Sequence, residues 1–485
     1  MQVMKKKERI KIYIDDIVYG GNGISKQPQE NRKDFVIFVK NAITGQTVLA
    51  EITKLKSNYA EAKIFEVITK SELQKKRNYQ KISGAPYYEL DIKYQRLKKK
   101  ALVFEVFQKI GKINDIEKYY DGFIHSPKTW HYRNKMEYAF SSIIYDFKKK
   151  RDIDEFGLGF KRANTWWMVE NLEKDSGLFD KQWENSLHKI RKFCKETGLP
   201  AWNIPQKKGF FRNLNVRKSY KHDKLLVELV TSSNDVKKFN ITLFKNKILK
   251  LHPNRIEGII HTINDNISDR INYNDVLSQT IVGTNKITEA MLNLEFEIYM
   301  SSFFQTNPLC AQKLYKKVIE YSSENKHNSK PIILDLFCGT GTIAQMIASK
   351  NKNAHVIGVD IASSSIQNAI KSATKNKIKN VEFYNLDIGD FLTHNPNLKN
   401  KINTIIVDPP RPGIAKKSIK KIIELNSQEI IYVSCNPSTQ ARDIEILMKY
   451  GYVIKKFSIA DQFPHTHHIE TIFILVKSTD NVSLH

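Results

Sequence analysis

At 485 residues the chain exceeds one ordinary compact domain, and its length predicts roughly two to four domains with at least one sizeable core. Lysine and arginine number 78 against 51 acidic residues, a formal net charge of +27 spread along the whole length, so a polyanionic partner is expected. No run approaches the ~20 apolar residues of a membrane span and the charged start has no apolar signal core behind it, so no membrane partner and a cytoplasmic location are expected.

Residues 1–68 contain short alternating runs, Ile10 to Ile14, Phe35 to Val39, Val48 to Ile52 and Ala62 to Val67, punctuated by Gly20, Gly21, Gly23 and Gly45. That pattern predicts a small antiparallel β-barrel. Residues 69–127 are lysine-rich and read as a helical connector, with Ala101, Phe104, Glu105, Phe107 and Ile110 forming a mixed face. Between 128 and 300 the pattern predicts an α+β module with one helix, Phe179 to Thr197, and an aromatic, basic segment from His131 to Ala139. The polar stretch Ser322 to Lys330 reads as a loop. Over 301–485 short apolar runs alternate with helical stretches, which predicts an α/β, doubly wound Rossmann-like domain.

In that last domain Ile332 to Leu334 leads into Asp335-Leu-Phe-Cys-Gly-Thr-Gly341-Thr342 and then a helical pattern. A strand, a glycine-bearing turn and a helix form the nucleotide-binding end of such a sheet. A second run, Val356 to Val359, ends in Asp360, where a carboxylate can accept ribose hydroxyls. The three-glycine pyrophosphate fingerprint is missing and the loop opens on an aspartate, so a cationic sulfonium cofactor suits it better than NAD.

Two further strand ends carry Asp408-Pro-Pro-Arg-Pro-Gly413 and Ser434-Cys435-Asn436-Pro437, and Phe463-Pro-His-Thr-His-His-Ile-Glu470 precedes the final apolar run. In an open α/β sheet, ligands lie beyond the carboxyl ends of the strands, so these segments point at one site. Uracil C5 is a poor nucleophile, and methylation there needs a thiol to add to C6 and a base to take the C5 proton. Cys435 suits the first role and Glu470 the second. Of the other cysteines, Cys310 and Cys338 read as packing residues, and no metal is expected at His465, His467 and His468.

On SFFQTN (Ser302 to Asn307), LDLFCGTGT, VDPPRPG, YVSCNPSTQARD and FPHTHHIE, the chain resembles the RNA uracil-C5 methyltransferase family over nearly its whole length. The resemblance implies S-adenosylmethionine as cofactor, contacted by Gln305, Phe337, Asp360, Asp387 and Asp408, with Cys435 and Glu470 catalytic. Asp360 stands where most members have glutamate. Residues 1–68 look like a TRAM domain, an OB-like RNA-binding barrel found on ribosomal-RNA members, which implies 23S ribosomal RNA as partner. The implied alternatives are transfer RNA or, from another class, an inactive TRAM-type RNA-binding factor. The segment from His131 to Phe140 resembles one that holds RNA, with Arg133 and Lys135 as phosphate contacts. Many members carry four cysteines between barrel and central domain for a [4Fe-4S] centre; here ISGAPYYELDIKYQRLKKK has none, so no iron-sulfur cluster is expected. No obligate protein partner is evident.

Overall fold

A computed structural model describes residues 4–28, 34–163, 165–267, 271–273, 275–324 and 330–478. The expected loop at Ser322 to Lys330 therefore lies partly outside the described residues. Among those described, no helix is long and apolar enough to cross a membrane.

The amino-terminal region is a six-stranded sheet in the order Arg9–Tyr13, Thr47–Leu55, Tyr59–Thr69, Phe35–Lys40, Asn22–Gln27, Asp16–Ile17. Alternate residues of Phe35–Lys40 are buried, as a strand with one face on a core requires, and they meet Ile12, Ile14, Val48 and Ile52. The pairing departs from the all-antiparallel expectation at one place: Phe35–Lys40 runs parallel to Tyr59–Thr69. The connection between them is long enough for such a crossover because it contains the intervening strand Thr47–Leu55.

The segment expected as a connector is more deeply integrated than its lysines suggest. Its helix Ile92–Lys109 begins at Asp91, whose carboxylate accepts the Lys93 and Tyr94 N–H groups. The buried face is Gln95, Lys99, Leu102, Val103, Val106 and Phe107 rather than the one centred on Ala101 and Ile110, since Ala101 is exposed and Ile110 is 41 % exposed. Val103, Val106 and Phe107 join the core on one face of the carboxy-terminal sheet. Tyr120–Ile124, not anticipated as part of that sheet, is its outermost strand beside Tyr452–Ala460.

The central region is a seven-stranded sheet in the order Val169–Asn171, Arg151–Lys161, Lys135–Asp146, Phe211–Lys218, Leu225–Thr231, Ile256–Ile263, Leu277–Gly283. The expected helix over Phe179 to Thr197 is two pieces, Lys181–Glu184 and Leu187–Glu196, and a further helix, Ile241–Leu251, was not foreseen. Its composition, Ile-Thr-Leu-Phe, looks like a strand, but Asn240 accepts the Leu243 N–H, and Phe244 and Ile248 meet the core one turn apart.

The hairpin Lys286–Met291 and Leu294–Tyr299 shares its core with the helix Pro308–Ser322 and the carboxy-terminal sheet, through Ile287, Met291, Phe296, Leu314 and Val318. That sheet has eight strands in the order Val381–Asn385, His355–Asp360, Ile332–Leu336, Thr404–Val407, Glu429–Ser434, Glu470–Lys477, Tyr452–Ala460, Tyr120–Ile124. The first five are parallel, and Glu470–Lys477 is inserted antiparallel. Helices cover both faces, so the strands are apolar on both sides, as in Glu429–Ser434, which is buried throughout. The chain reverses direction across the sheet between Ile332–Leu336 and Thr404–Val407, which opens a crevice at their carboxyl ends.

Candidate active site

Strand register sets the site. Leu336 pairs with Val359 and with Val407, so Phe337, Asp360 and Asp408, each one residue beyond that row, stand side by side at three adjacent strand ends. Val407 pairs with Tyr432, which carries the line to Ser434 and Cys435. Ser434 pairs with Thr471, and because that pairing is antiparallel, the next residue of one strand and the preceding residue of the other, Cys435 and Glu470, come opposite each other.

The glycine-bearing loop is held largely by its own backbone and by its neighbour strand. Asp335 is buried and accepts the Ala344 N–H at 3.0 Å, while its Oδ1 has no partner. Burial, with Asp408 nearby, pushes the Asp335 carboxyl well above the usual range. Phe337 adopts φ +63°, and Gly341 φ +69° at the start of the helix Thr342–Lys350. A Cβ on Gly341 would stand 2.5 Å from the Phe383 ring, so the loop needs glycine for both its conformation and its closeness. Asp360 accepts the Gly339 N–H at 2.9 Å and the Ala362 N–H at 2.8 Å, so both its oxygens fix backbone. The shorter side chain thus ties the two strand ends together.

Asp387 is exposed and caps the helix Ile388–His394 by accepting the Gly389 N–H at 2.7 Å. It lies two residues past the outermost parallel strand, farther along the edge than the others. Gln305 arrives from the other direction: its Oε1 accepts from Gln462 Nε2 at 3.1 Å, and it lies close enough to Tyr315 to influence its hydroxyl. Tyr315, buried and under the influence of Asp408, Glu470 and Asp335, and Gln462 join the site although no motif in the sequence marks them.

Glu470 is 4 % exposed, and burial with Asp408 drives its carboxyl well above the ordinary range against the pull of Arg411. Burial brings Asp408 up to about 7. The Cys435 thiol is pushed to about 11, first by burial and then by Glu470 and Asp408, with Arg411 opposing. A cation placed beside Asp335, Asp408 and Glu470 would favour their ionised forms. Asn436, next to Cys435, caps the helix Pro437–Lys449 and donates to the Arg411 carbonyl at 2.9 Å, which ties the two loops together.

Long-range contacts hold the segment leading to Glu470. Asp461 is fully buried, paired with Lys99 Nζ at 2.7 Å and Arg96 Nε at 3.1 Å, and these cations hold its carboxyl below the usual range despite burial. Lys99 also donates to the Phe463 carbonyl, and Tyr132 Oη to the Pro464 carbonyl. His465 stacks on Trp130 with ring centroids 3.6 Å apart, donates its N–H to Gln95 and accepts the Tyr87 N–H. Burial lowers His465 and His468 to about 3, so both are neutral. Among the described residues, no group of three or more His, Cys, Asp or Glu side chains is arranged to hold a metal.

Two expected phosphate contacts stand differently. Both are half-buried, but Lys135 pairs with Glu137 at 2.6 Å, whereas Arg133 donates to the Lys135 carbonyl.

The family described as tRNA (Uracil-5-)-methyltransferase matches residues 274–478. An uncharacterised RNA methyltransferase of Clostridium acetobutylicum is 34 % identical over 98 % of this chain and 99 % of its own. One of Clostridium tetani is 33 % identical over 97 % and 98 %, and one of Caldanaerobacter subterraneus 31 % over 98 % and 100 %. Among solved structures, the Pyrococcus abyssi tRNA (uracil-54, C5)-methyltransferase with S-adenosyl-L-homocysteine superposes at a TM-score of 0.71, with 24 % identity, 96 % of this chain and 100 % of that one. At that identity the likeness is one of fold.

Proposed function

Because the chain belongs to the RNA uracil-C5 methyltransferase family and is an S-adenosylmethionine-dependent RNA methyltransferase, we propose that it methylates C5 of a uridine in 23S ribosomal RNA, with Cys435 as nucleophile and Glu470 as base. The observation that carries this is the juxtaposition of Cys435 and Glu470 by antiparallel register, at the strand ends that also bear Asp408 and the glycine loop.

S-adenosylmethionine, when bound, supplies an electrophilic methyl group on a sulfonium. The loop at 337–341, Gln305, Asp360, Asp387 and Asp408 are the residues we assign to it. The fit is good: the close backbone at Gly341, the unpartnered Asp335 Oδ1 and the carboxyl groups of Asp335, Asp360 and Asp408, which a cation would help to ionise, suit a cationic ligand better than a phosphate. A positive charge beside Asp408 also lowers the cost of ionising Cys435 and Glu470.

The thiolate of Cys435 adds to C6, and the displaced π electrons collect as an enolate that makes C5 nucleophilic. Once C5 bears the methyl group, the Glu470 carboxylate takes the C5 proton, the C5–C6 double bond re-forms and the Cys435 thiolate leaves. Glu470 raises the cost of charging Cys435. Conversion of the thiolate to a neutral thioether on C6 removes that repulsion and lets Glu470 ionise when its base is needed.

Cys435→Ala should abolish turnover while keeping cofactor affinity. Glu470→Gln should accumulate a denaturant-stable protein–RNA adduct that carries the methyl group; normal release by this variant would remove Glu470 as base. The alternative substrate, transfer RNA, agrees with the description of the matched family. Mapping 5-methyluridine in both RNAs from cells with and without the gene decides between them. Location in the cytoplasm, the domain division at 68, 127 and 300, and a chain free of iron belong to the same reading; stoichiometric iron in anaerobically prepared protein would overturn the last.

A further inference from the structure

The turn between Asp16–Ile17 and Asn22–Gln27 of the amino-terminal sheet reaches the strand end that bears the nucleophile. Tyr19 Oη donates to Asn436 Oδ1 at 3.0 Å, across 417 residues of sequence. Asn436 follows Cys435 directly and is a hub. Its Oδ1 also accepts the Ser438 N–H at 3.2 Å, its Nδ2 donates to the Arg411 carbonyl at 2.9 Å, and its own N–H donates to Ser434 Oγ at 3.0 Å. The turn from strand to helix that aims the thiol is therefore fixed through one amide, and a different sheet supplies one of that amide's partners.

The reaching turn is itself well seated. Asp16 pairs with Lys98 of the helix Ile92–Lys109, and Ile17 packs with Tyr87 and Leu90. Gly21 passes so close to the Glu470 segment that a Cβ there would stand 3.0 Å from His467. A small cavity lined by Ile17, Tyr19, Gly20, Lys98, His467 and Ile469 marks the seam. Burial raises the Tyr19 hydroxyl, Ser438 pulls it down, and the charges of Cys435 and Arg411 act on it more weakly. The ring stays 37 % exposed at the rim.

We propose that Tyr19 is a positioning residue for the nucleophile, so that the amino-terminal sheet completes the reaction centre as well as holding RNA. This deepens the reading of Cys435 given above and rests on it. A tyrosine that only touched RNA would not need its hydroxyl spent on Asn436. Removing that hydroxyl leaves Asn436 Oδ1 with one donor and loosens the turn that sets the thiol's approach to C6.

The test uses the full-length protein carrying Tyr19→Phe, which keeps the ring and its packing. Turnover is measured on a mixture of 23S ribosomal and transfer RNA transcripts, alongside the rate of covalent trapping by the same transcripts made with 5-fluorouridine, whose C5 fluorine cannot leave as a proton does. The expected result is a fall of roughly five- to tenfold in both kcat and trapping rate, with the RNA and cofactor KM values within about twofold of the original. A raised RNA KM at unchanged kcat would make Tyr19 an RNA contact and overturn the proposal, as would wild-type behaviour in all four quantities. Cys435→Ala, run in parallel, separates the two levels: turnover by that variant defeats the nucleophile itself, whereas its inactivity beside an unaffected Tyr19→Phe defeats only the role of Tyr19.

Discussion

Two loops close the same end of the carboxy-terminal sheet, and they are held in opposite ways. The glycine loop at 337–341 relies on its own turn and on the neighbouring strand end, through Gly341, Asp360 and Asp335. The 461–470 segment relies on residues hundreds of positions away: Lys99, Gln95, Tyr87, Trp130 and Tyr132. A binding loop for a small molecule can be a local motif. Glu470 has no such local support, and the protein anchors the segment leading to it in the region that precedes the central sheet.

The contrast can be broken most sharply at Asp461. Asp461→Ala leaves Lys99 buried at 2 % exposure beside Arg96 without its counter-charge, at a cost of about 3–5 kcal/mol, read as a lowered denaturant midpoint. Because the native carboxyl is held below its ordinary value, the pair's contribution is full above the unfolded pKa of about 4 and disappears as pH falls through the native one. The gap between original and variant should therefore close in acid. An unchanged midpoint at neutral pH would mean that the base segment is held by packing alone.

On the other loop, Gly341→Ala forces a side chain into φ +69° and against Phe383. The strain is about 1–2 kcal/mol, so affinity for S-adenosylhomocysteine, measured calorimetrically, should drop roughly five- to thirtyfold. Intact affinity would show that the loop can shift away from Phe383 freely.

Trp130→Ala should do the reverse. It removes a stack worth about 0.5–1.5 kcal/mol beyond its burial, and turnover should fall roughly two- to tenfold with S-adenosylhomocysteine binding unaltered. A joint loss of both quantities would mean the two loops are mechanically coupled rather than separately held.

The smallest effect is in the free thiol. With Cys435 pushed up to about 11, the thiolate fraction and hence its alkylation by iodoacetamide should climb about tenfold per pH unit between pH 7 and 9, after subtraction of the Cys435→Ala background. A plateau below pH 9 would mean that the protein favours the Cys435 thiolate before RNA arrives.

How much of this was legible in the sequence follows the same division. Four of the five parallel strands were visible because strands covered on both faces are nearly continuous apolar runs, and these carry Asp335, Asp360, Asp408 or Cys435 in or just after them; Val381–Asn385, an edge strand exposed along much of its length, has no such run. Tyr120–Ile124 escaped because it is short and carries Asp121 and Gly122, which an edge strand tolerates. The helix Ile241–Leu251 escaped because β-branched and aromatic residues dominate its first turn, and only the core contacts of Phe244 and Ile248 decide its state.

The sequence by itself determined the chemistry: a thiol, a carboxylate and a glycine-bearing turn at strand ends, because each is encoded by a few contiguous residues. Tertiary structure alone decided that the last strand's antiparallel insertion brings Cys435 opposite Glu470, that Gln462 orients Gln305, that Glu137 takes Lys135, and that Tyr19 reaches Asn436. Such pairings depend on sheet order and on packing between separate sheets, and short-range pattern carries no trace of partners that chain folding brings together from hundreds of residues apart.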